Sequence, residues 1–280
     1  MFGRKGLDVK TGDQIRTMRL AGMVVGETLE LMRGQAVAGM TTADLDRTAE
    51  AFIRSSGATP SFLGYHGFTG SLCVSVNEEV VHGIPGSRTL RDGDLVSIDC
   101  GAIVEGWHGD AAISLIVGGR EAGSPRDCAL MDATEASLWA GIAALAVGSP
   151  LFDVGAAVED SIVDAARVNH ETYGIIEDYV GHGIGTEMHQ DPQVPNYRVR
   201  DRGPIVRSGV TVAIEPMITL GSAETDVLDD DWTVVTHDGS RAAHWEHSVA
   251  VTDAGLWVLT ALDGGRERLE ALGTAYAPLA

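Results

Sequence analysis

The sequence predicts an α+β protein folded as one large domain, and three observations carry that expectation. Stretches with helical spacing alternate with short β-branched runs. The order of two helices followed by strands occurs twice. No linker or low-complexity stretch separates the two rounds. With 280 residues, 44% of them hydrophobic and 21% charged, the chain is long enough to bury one sizeable core. Residues 1–10 read as a short N-terminal tail, 11–262 as the folded unit and 263–280 as a C-terminal tail.

The first helix runs from Asp13 to Met32, where Ile15, Met18, Ala21, Val24, Val25, Leu29 and Met32 form an apolar stripe. Thr11 or Asp13 can cap it and Gly34 can stop it. A second helix starts at Thr41, with Asp44 three residues on to complete a capping box, and runs through Leu45, Ala49 and Phe52 towards Gly57. Between Ser71 and Gly118, the runs SLCVSVN, VVHGIPGS, DLVSIDCGAIV, EGW and DAAISLIVG read as strands and turns. Helical spacing returns from Pro125 to Ala146 and from Phe152 to Val168. Strand-like texture follows around Tyr179, Thr211–Thr219, Trp232–Thr236 and Glu246–Leu259. PLFDVGAAVEDSIV stands in the second round where TTADLDRTAEAFIR stands in the first, which suggests a duplicated unit. The acid-rich stretch Gly221–Asp231 reads as a solvated loop.

A formal charge of −20 argues against a phosphate-neutralising surface, so a peptide or small molecule is the expected partner rather than nucleic acid. Most of the acids then serve as a solubilising surface. Three cysteines, Cys73, Cys100 and Cys128, make no paired framework and point to a reducing, cytoplasmic setting. The segment Met1–Lys10 has no apolar core, and no run of 18 apolar residues occurs elsewhere, so neither a signal peptide nor a membrane span is expected.

The chemistry is concentrated in acids placed where strands should be apolar. LVSIDCGAIVEGWHGDAAISLIVG reads as a hairpin turning at Glu105 and Gly106, which sets residue 99 opposite 112 and makes 110 its diagonal neighbour. Asp99 and Asp110 then share a face with Leu95, Ser97, Gly101, Ala112 and Ser114, against Val96, Ile98, Ile113 and Leu115 on the other. Taken alone, two acids are also what the wet face of a half-exposed hairpin carries. VTVAIEPMIT and HWEHSVAVT place Glu215 and Glu246 in further strands. Four carboxylates in one partly buried site repel one another unless cations compensate them, and two divalent ions balance four carboxylates. GHGIGTEMHQDP supplies His182 and His189 in a Gly-rich stretch, too far apart in sequence for the helical pair of a zinc site. Singly, these two and His82 of VVHGIPG read more readily as ordinary loop histidines than as ligands, and His66, His108, His170, His244 and His247 add to that supply.

The motifs VNEEVVHGIPG, SIDCGAIVEGWHGDAA, GHGIGTEMHQDPQVPNY, AIEPM and HWEHSVAVT together resemble the type I methionine aminopeptidases, over roughly Thr11 to Leu259. That resemblance implies the pita-bread fold, two pseudo-symmetric α+β halves around a central antiparallel sheet. It implies a dinuclear metalloexopeptidase that takes the initiator methionine from nascent chains with a small second residue, near the ribosome and as a monomer. It assigns Asp99, Asp110, His182, Glu215 and Glu246 as ligands of two divalent ions, cobalt, manganese, iron or zinc, bridged by a hydroxide. Catalytic parts fall to Glu215 as proton shuttle, His189 at the carbonyl oxygen and His82 at the scissile nitrogen. Phe62, Tyr65, Phe68, Cys73, His82, Met188, His189 and Trp232 would bind the substrate. Phe62 stands where a small residue is frequent in the family, and Met188 where an aromatic is. Cys73 reads as a pocket wall rather than a nucleophile, since no His–Asp relay accompanies it. Two other readings are a proline-directed peptidase of the same fold, which usually carries a further N-terminal domain, and a non-catalytic member that keeps the fold to bind peptide.

Overall fold

The computed structural model describes residues 7–280, so residues 1–6 of the expected N-terminal tail lie outside the described part. Helix α1 spans Gly12–Gln35, and its capping box pairs Thr11 with Gln14: the Thr11 N–H donates to Gln14 Oε1 at 2.8 Å. Gly34 does not stop it; the last turn closes with Ala36 donating to the Met32 carbonyl. Helix α2 spans Thr42–Ser55 and begins with the predicted Thr41/Asp44 box. In the second round α3, Pro125–Ala144, starts from a Ser124 cap with proline in its first turn, and α4 spans Asp153–Asn169.

The helices cover one face of a nine-stranded antiparallel sheet. Its path runs Thr59–Pro60, Leu95–Val104, Trp107–Ile116, Glu246–Thr252, Thr211–Ile214, Gly181–Gly183 and Gln190–Val194. Leu72–Val76 also pairs with Leu95–Val104, and Gly255–Val258 with Glu246–Thr252. Val96, Ile98, Ile113 and Leu115 join the main core beneath the helices, as the alternation predicts. Two three-stranded sheets flank this layer. One joins Ala242–His244, Met217–Thr219 and Gly174–Ile175; the other joins Thr225–Val227, Val234–Thr236 and Glu79–Val81.

Helix α1 lies unusually close to the sheet because glycines face each other there. A Cβ on Gly109 would fall 2.7 Å from the Gly22 nitrogen, and one on Gly22 would fall 2.1 Å from the Leu259 carbonyl oxygen. The backbone of the helix thus rests directly on the strand that carries Asp110.

The strand pattern departs from expectation in four places. Tyr179 belongs to no strand, lying between Gly174–Ile175 and Gly181–Gly183, and Trp232 precedes the strand that begins at Val234. Thr211–Thr219 is two strands, broken at Glu215–Pro216, because Pro216 has no N–H for a ladder bond. There the chain leaves the nine-stranded sheet for a three-stranded one. Gly221–Asp231 contains the exposed edge strand Thr225–Val227, held to Val234–Thr236 by backbone pairing that polar side chains do not prevent. Residues 263–280 carry helix α5, Arg266–Ala271, with Leu269 buried, and Leu279 packs on the cluster of Ile15 and Met18.

Candidate metal centre

Cross-strand register assembles the acids. Glu105 and Gly106 both take left-handed backbone, with φ of 50° and 81°, and form the two-residue turn that fixes the hairpin. Asp99 then lies opposite Ala112 and Gly101 opposite Asp110. On the far side of the same strand, Glu246 also lies opposite Ala112. Asp99, Ala112 and Glu246 therefore form one row across three strands, in which the methyl of Ala112 leaves space between two carboxylates. His182 enters from Gly181–Gly183, opposite Ala213, and Glu215 follows directly after Ile214. Contrary to the expectation of four acids inside strands, Glu215 sits at the break. Its carbonyl accepts a 3.0 Å hydrogen bond from the Nδ2 of fully buried Asn196, so the exposed end of the strand is still held.

The electrostatics of this cluster favour cations. Asp110 and Glu246 are buried, while Asp99 and Glu215 keep slight exposure. One oxygen of each of Asp99, Asp110 and Glu246 is buried with no hydrogen-bond partner. Burial pushes the Asp99 carboxyl up to about 7. Asp110, Glu215 and Glu246 are raised well above the carboxylate range, first by burial and then by the charges of the neighbouring acids. His182 lies with Nε2 3.4 Å from Glu215 Oε1 and Nδ1 3.0 Å from the Gly183 carbonyl. The Nδ1–H donating to that carbonyl leaves the Nε2 lone pair facing the acids. Burial also drives the His182 pKa down to about 3, which keeps the ring neutral, as a ligand requires. Ligand atoms of Asp110, His182 and Glu246 all lie within 4.8 Å of one another. Orphaned buried oxygens, crowded like charges and a neutral imidazole fit divalent cations and leave hard O/N donors as the coordinating set.

These acids floor a cavity of about 260 Å³ that all of the predicted site residues line. Its other end is apolar: Phe62, Phe68, Cys73 and Met188 are buried together, with Tyr65, Ile84 and Trp232 packed against them. Phe68 and Trp232 meet edge to face at 5.1 Å. Burial and the nearby carboxylates push the Cys73 thiol well up, so it lines the wall as an unreactive thiol. Two histidines bridge the apolar and acidic ends. The Tyr65 hydroxyl lies 2.8 Å from His189 Nδ1, which leaves the ring's Nε2 for other contacts, and the His189 ring meets that of His182 at 4.3 Å. His82, with a left-handed φ of 60°, stands edge-on to Tyr179 at 5.4 Å and Trp232 at 5.9 Å. Burial lowers its pKa to about 4.

Sequence reasoning missed Asp178, Tyr179 and Gln193 in the lining; the first two lie close to GHG in the sequence, whereas Gln193 reaches the cavity by pairing opposite His182. It also left Asn196 and His244 without a part. Three of the other surplus histidines have structural tasks: His108 meets Ser61 at 3.0 Å, His247 meets Thr260 at 2.8 Å and His170 ends α4 in left-handed backbone.

Comparison with known proteins matches this arrangement to characterised families. A family model described as metallopeptidase family M24 matches residues 16–253. The chain is 52% identical to methionine aminopeptidase 1 of Mycobacterium tuberculosis over 92% of its length and 96% of that protein. It is 45% identical to methionine aminopeptidase 1 of Bacillus subtilis, covering 90% and 98% respectively. Among solved structures, the methionine aminopeptidase of Thermotoga maritima superposes with a TM-score of 0.86 at 38% identity, over 91% of this chain and 100% of that one. The prolidase of Pyrococcus horikoshii, at 17% identity, shares the fold with a TM-score of 0.70 over 90% of this chain and 63% of its own. The pita-bread architecture, the metal-dependent character and the placement of acids in one cavity agree with a single assignment: the chain belongs to metallopeptidase family M24.

Proposed function

We propose that this protein hydrolyses the N-terminal methionine from polypeptides with a small second residue, in the cytoplasm and as a monomer, at a site holding two divalent ions. The observation that carries this reading is the cavity itself, in which four crowded carboxylates and a neutral imidazole face an apolar, aromatic end. Asp99, Asp110, His182, Glu215 and Glu246 would hold the ions. Bound there, two cations supply an acidified water as nucleophile and polarise the scissile carbonyl.

The chain's own groups do the rest. The methionine side chain lies among Phe62, Phe68, Cys73, Met188 and Trp232, where its flexible thioether gains sulfur–aromatic contacts. The free α-amine meets the acidic floor, which restricts cleavage to the terminal residue. His189, its Nδ1 engaged by Tyr65, presents Nε2 to the carbonyl oxygen as negative charge develops on it. Glu215 accepts the proton of the attacking water and passes it on, and His82 stands at the leaving nitrogen. The formal charge of −20 favours nascent-chain N-termini over nucleic acid as the partner.

A panel of Met-Xaa-Met peptides, assayed on metal-free protein reloaded with manganese, cobalt, iron or zinc, tests this. Methionine release from peptides with Gly, Ala or Ser second, and little from those with Leu or Lys second, is expected. Metal binding without release of methionine under any loading would instead support a peptide-binding role. Preferential cleavage of Xaa-Pro peptides would move the assignment to the proline-directed peptidases.

A further inference from the structure

Among the buried polar atoms, His244 Nε2 stands out. The residue is 1% exposed, this nitrogen has no hydrogen-bond partner, and it lies 4.0 Å from Glu215 Oε2. A buried donor left without an acceptor loses its hydration for nothing, so its position calls for a reason.

The backbone around His244 is clamped tightly. Its N–H reaches Ser97 Oγ at 3.2 Å and Ser114 Oγ at 3.0 Å, and the Ser114 hydroxyl donates back to its carbonyl at 2.8 Å. Those two serines face each other at 2.9 Å on the hairpin that bears Asp99 and Asp110. From the other side, His244 is paired with Met217, two residues beyond Glu215. The same hairpin thus fixes two of the acids and the imidazole that faces a third.

Resting on the activity proposed above, we infer that His244 is a positioning residue. As a neutral imidazole it donates Nε2–H to Oε2 of Glu215, holding that carboxylate with Oε1 towards His182 and the cations. A rotation of the Glu215 side chain closes the 4.0 Å gap, and such contacts are commonly long before ligands and substrate are bound. The donor orients an outer oxygen of a ligating carboxylate without adding charge to the site, the arrangement by which second-layer partners tune metal ligands.

The test compares wild type with H244L, H244Q and H244N. Each is titrated with Mn²⁺ by calorimetry from the metal-free state and assayed on Met-Gly-Met. H244L should weaken Mn²⁺ binding and lower kcat, each by about 10-fold to 100-fold, with KM changed by no more than about twofold. The Gln amide reaches the same oxygen and should restore both quantities, whereas the shorter Asn should not. Wild-type Mn²⁺ affinity and kcat in H244L would overturn the inference, as would equal impairment of H244Q and H244L at unchanged melting temperature. If H244L does not fold, the contrast between H244Q and H244N decides. If the wild type releases no methionine at all, the proposed activity fails and the Mn²⁺ titrations alone judge His244.

Discussion

At the scale of single residues, the acidic site follows from side-chain alternation. Asp99 and Asp110 were legible because a two-residue turn fixes register, and register fixes which side chains share a face. Glu215 is legible as an acid beside apolar residues, but its place at a strand end rather than inside one follows from Pro216, which offers the ladder no N–H. His244 was illegible: nothing in its local sequence separates it from other histidines, and its meaning comes from a contact with a residue 29 positions earlier (244 − 215). We expect Asp99→Asn and His182→Ala each to lower turnover by at least about 100-fold, given that even outer partners of metal ligands are worth 10- to 100-fold. Both variants should remain folded, because each removes charge repulsion or a buried polar ring without opening the main core. Circular dichroism and metal analysis after controlled reloading check this, and near-normal activity in either variant would defeat the ligand assignment.

At the scale of elements, helix starts are the most legible because they are chemical signals: Thr41 and Asp44 cap α2 through bonds that their sequence spacing dictates. The short strands around Tyr179 and Trp232 are less legible, since pieces of two or three residues carry too few side chains to show a period. Nor does periodicity reveal how closely elements approach. Gly22 falls between stripe residues with nothing in its spacing to single it out, yet it marks the contact of α1 with the backbone at Leu259 and Gly109. Gly22→Ala should therefore destabilise the protein despite alanine's better helix propensity. A loss of about 1–3 kcal/mol, the usual cost of overpacking, is expected in urea unfolding. Stabilisation would show that α1 can slide outwards at little cost.

At the scale of the whole molecule, the two rounds of α+β structure were visible in the order of elements, while the closure of both rounds into one sheet was not, since that depends on pairing between distant strands. The charge distribution gives this molecule a characteristic pH response. In metal-free protein the folded-state pKa values of Asp99, Asp110, Glu215 and Glu246 are raised, that of Asp99 to about 7. Between the unfolded values near about 4 and those folded values, the native state holds more protons than the unfolded one. Stability contributed by the neutral acids is therefore complete at low pH and lost as pH rises through about 7. The melting temperature of metal-free protein should fall from about pH 5 to pH 8, and saturating Mn²⁺ should remove most of that slope. Parallel slopes with and without metal would show that the acids titrate independently of cation binding.

The pairing between Trp107–Ile116 and Glu246–Thr252 amounts to Ala112 with Glu246 and Ala111 with His247. That narrow seam joins the hairpin of the first round to the strands of the second, and Asp99 and Asp110 stand on one side of it with His182, Glu215 and Glu246 on the other. Cations gripped from both sides would act as rivets across this seam, tying the unfolding of one round to that of the other. Without them the seam keeps its two residue pairs and the reciprocal Asp110–Ser248 hydrogen bonds, and the coupling between the rounds would be looser.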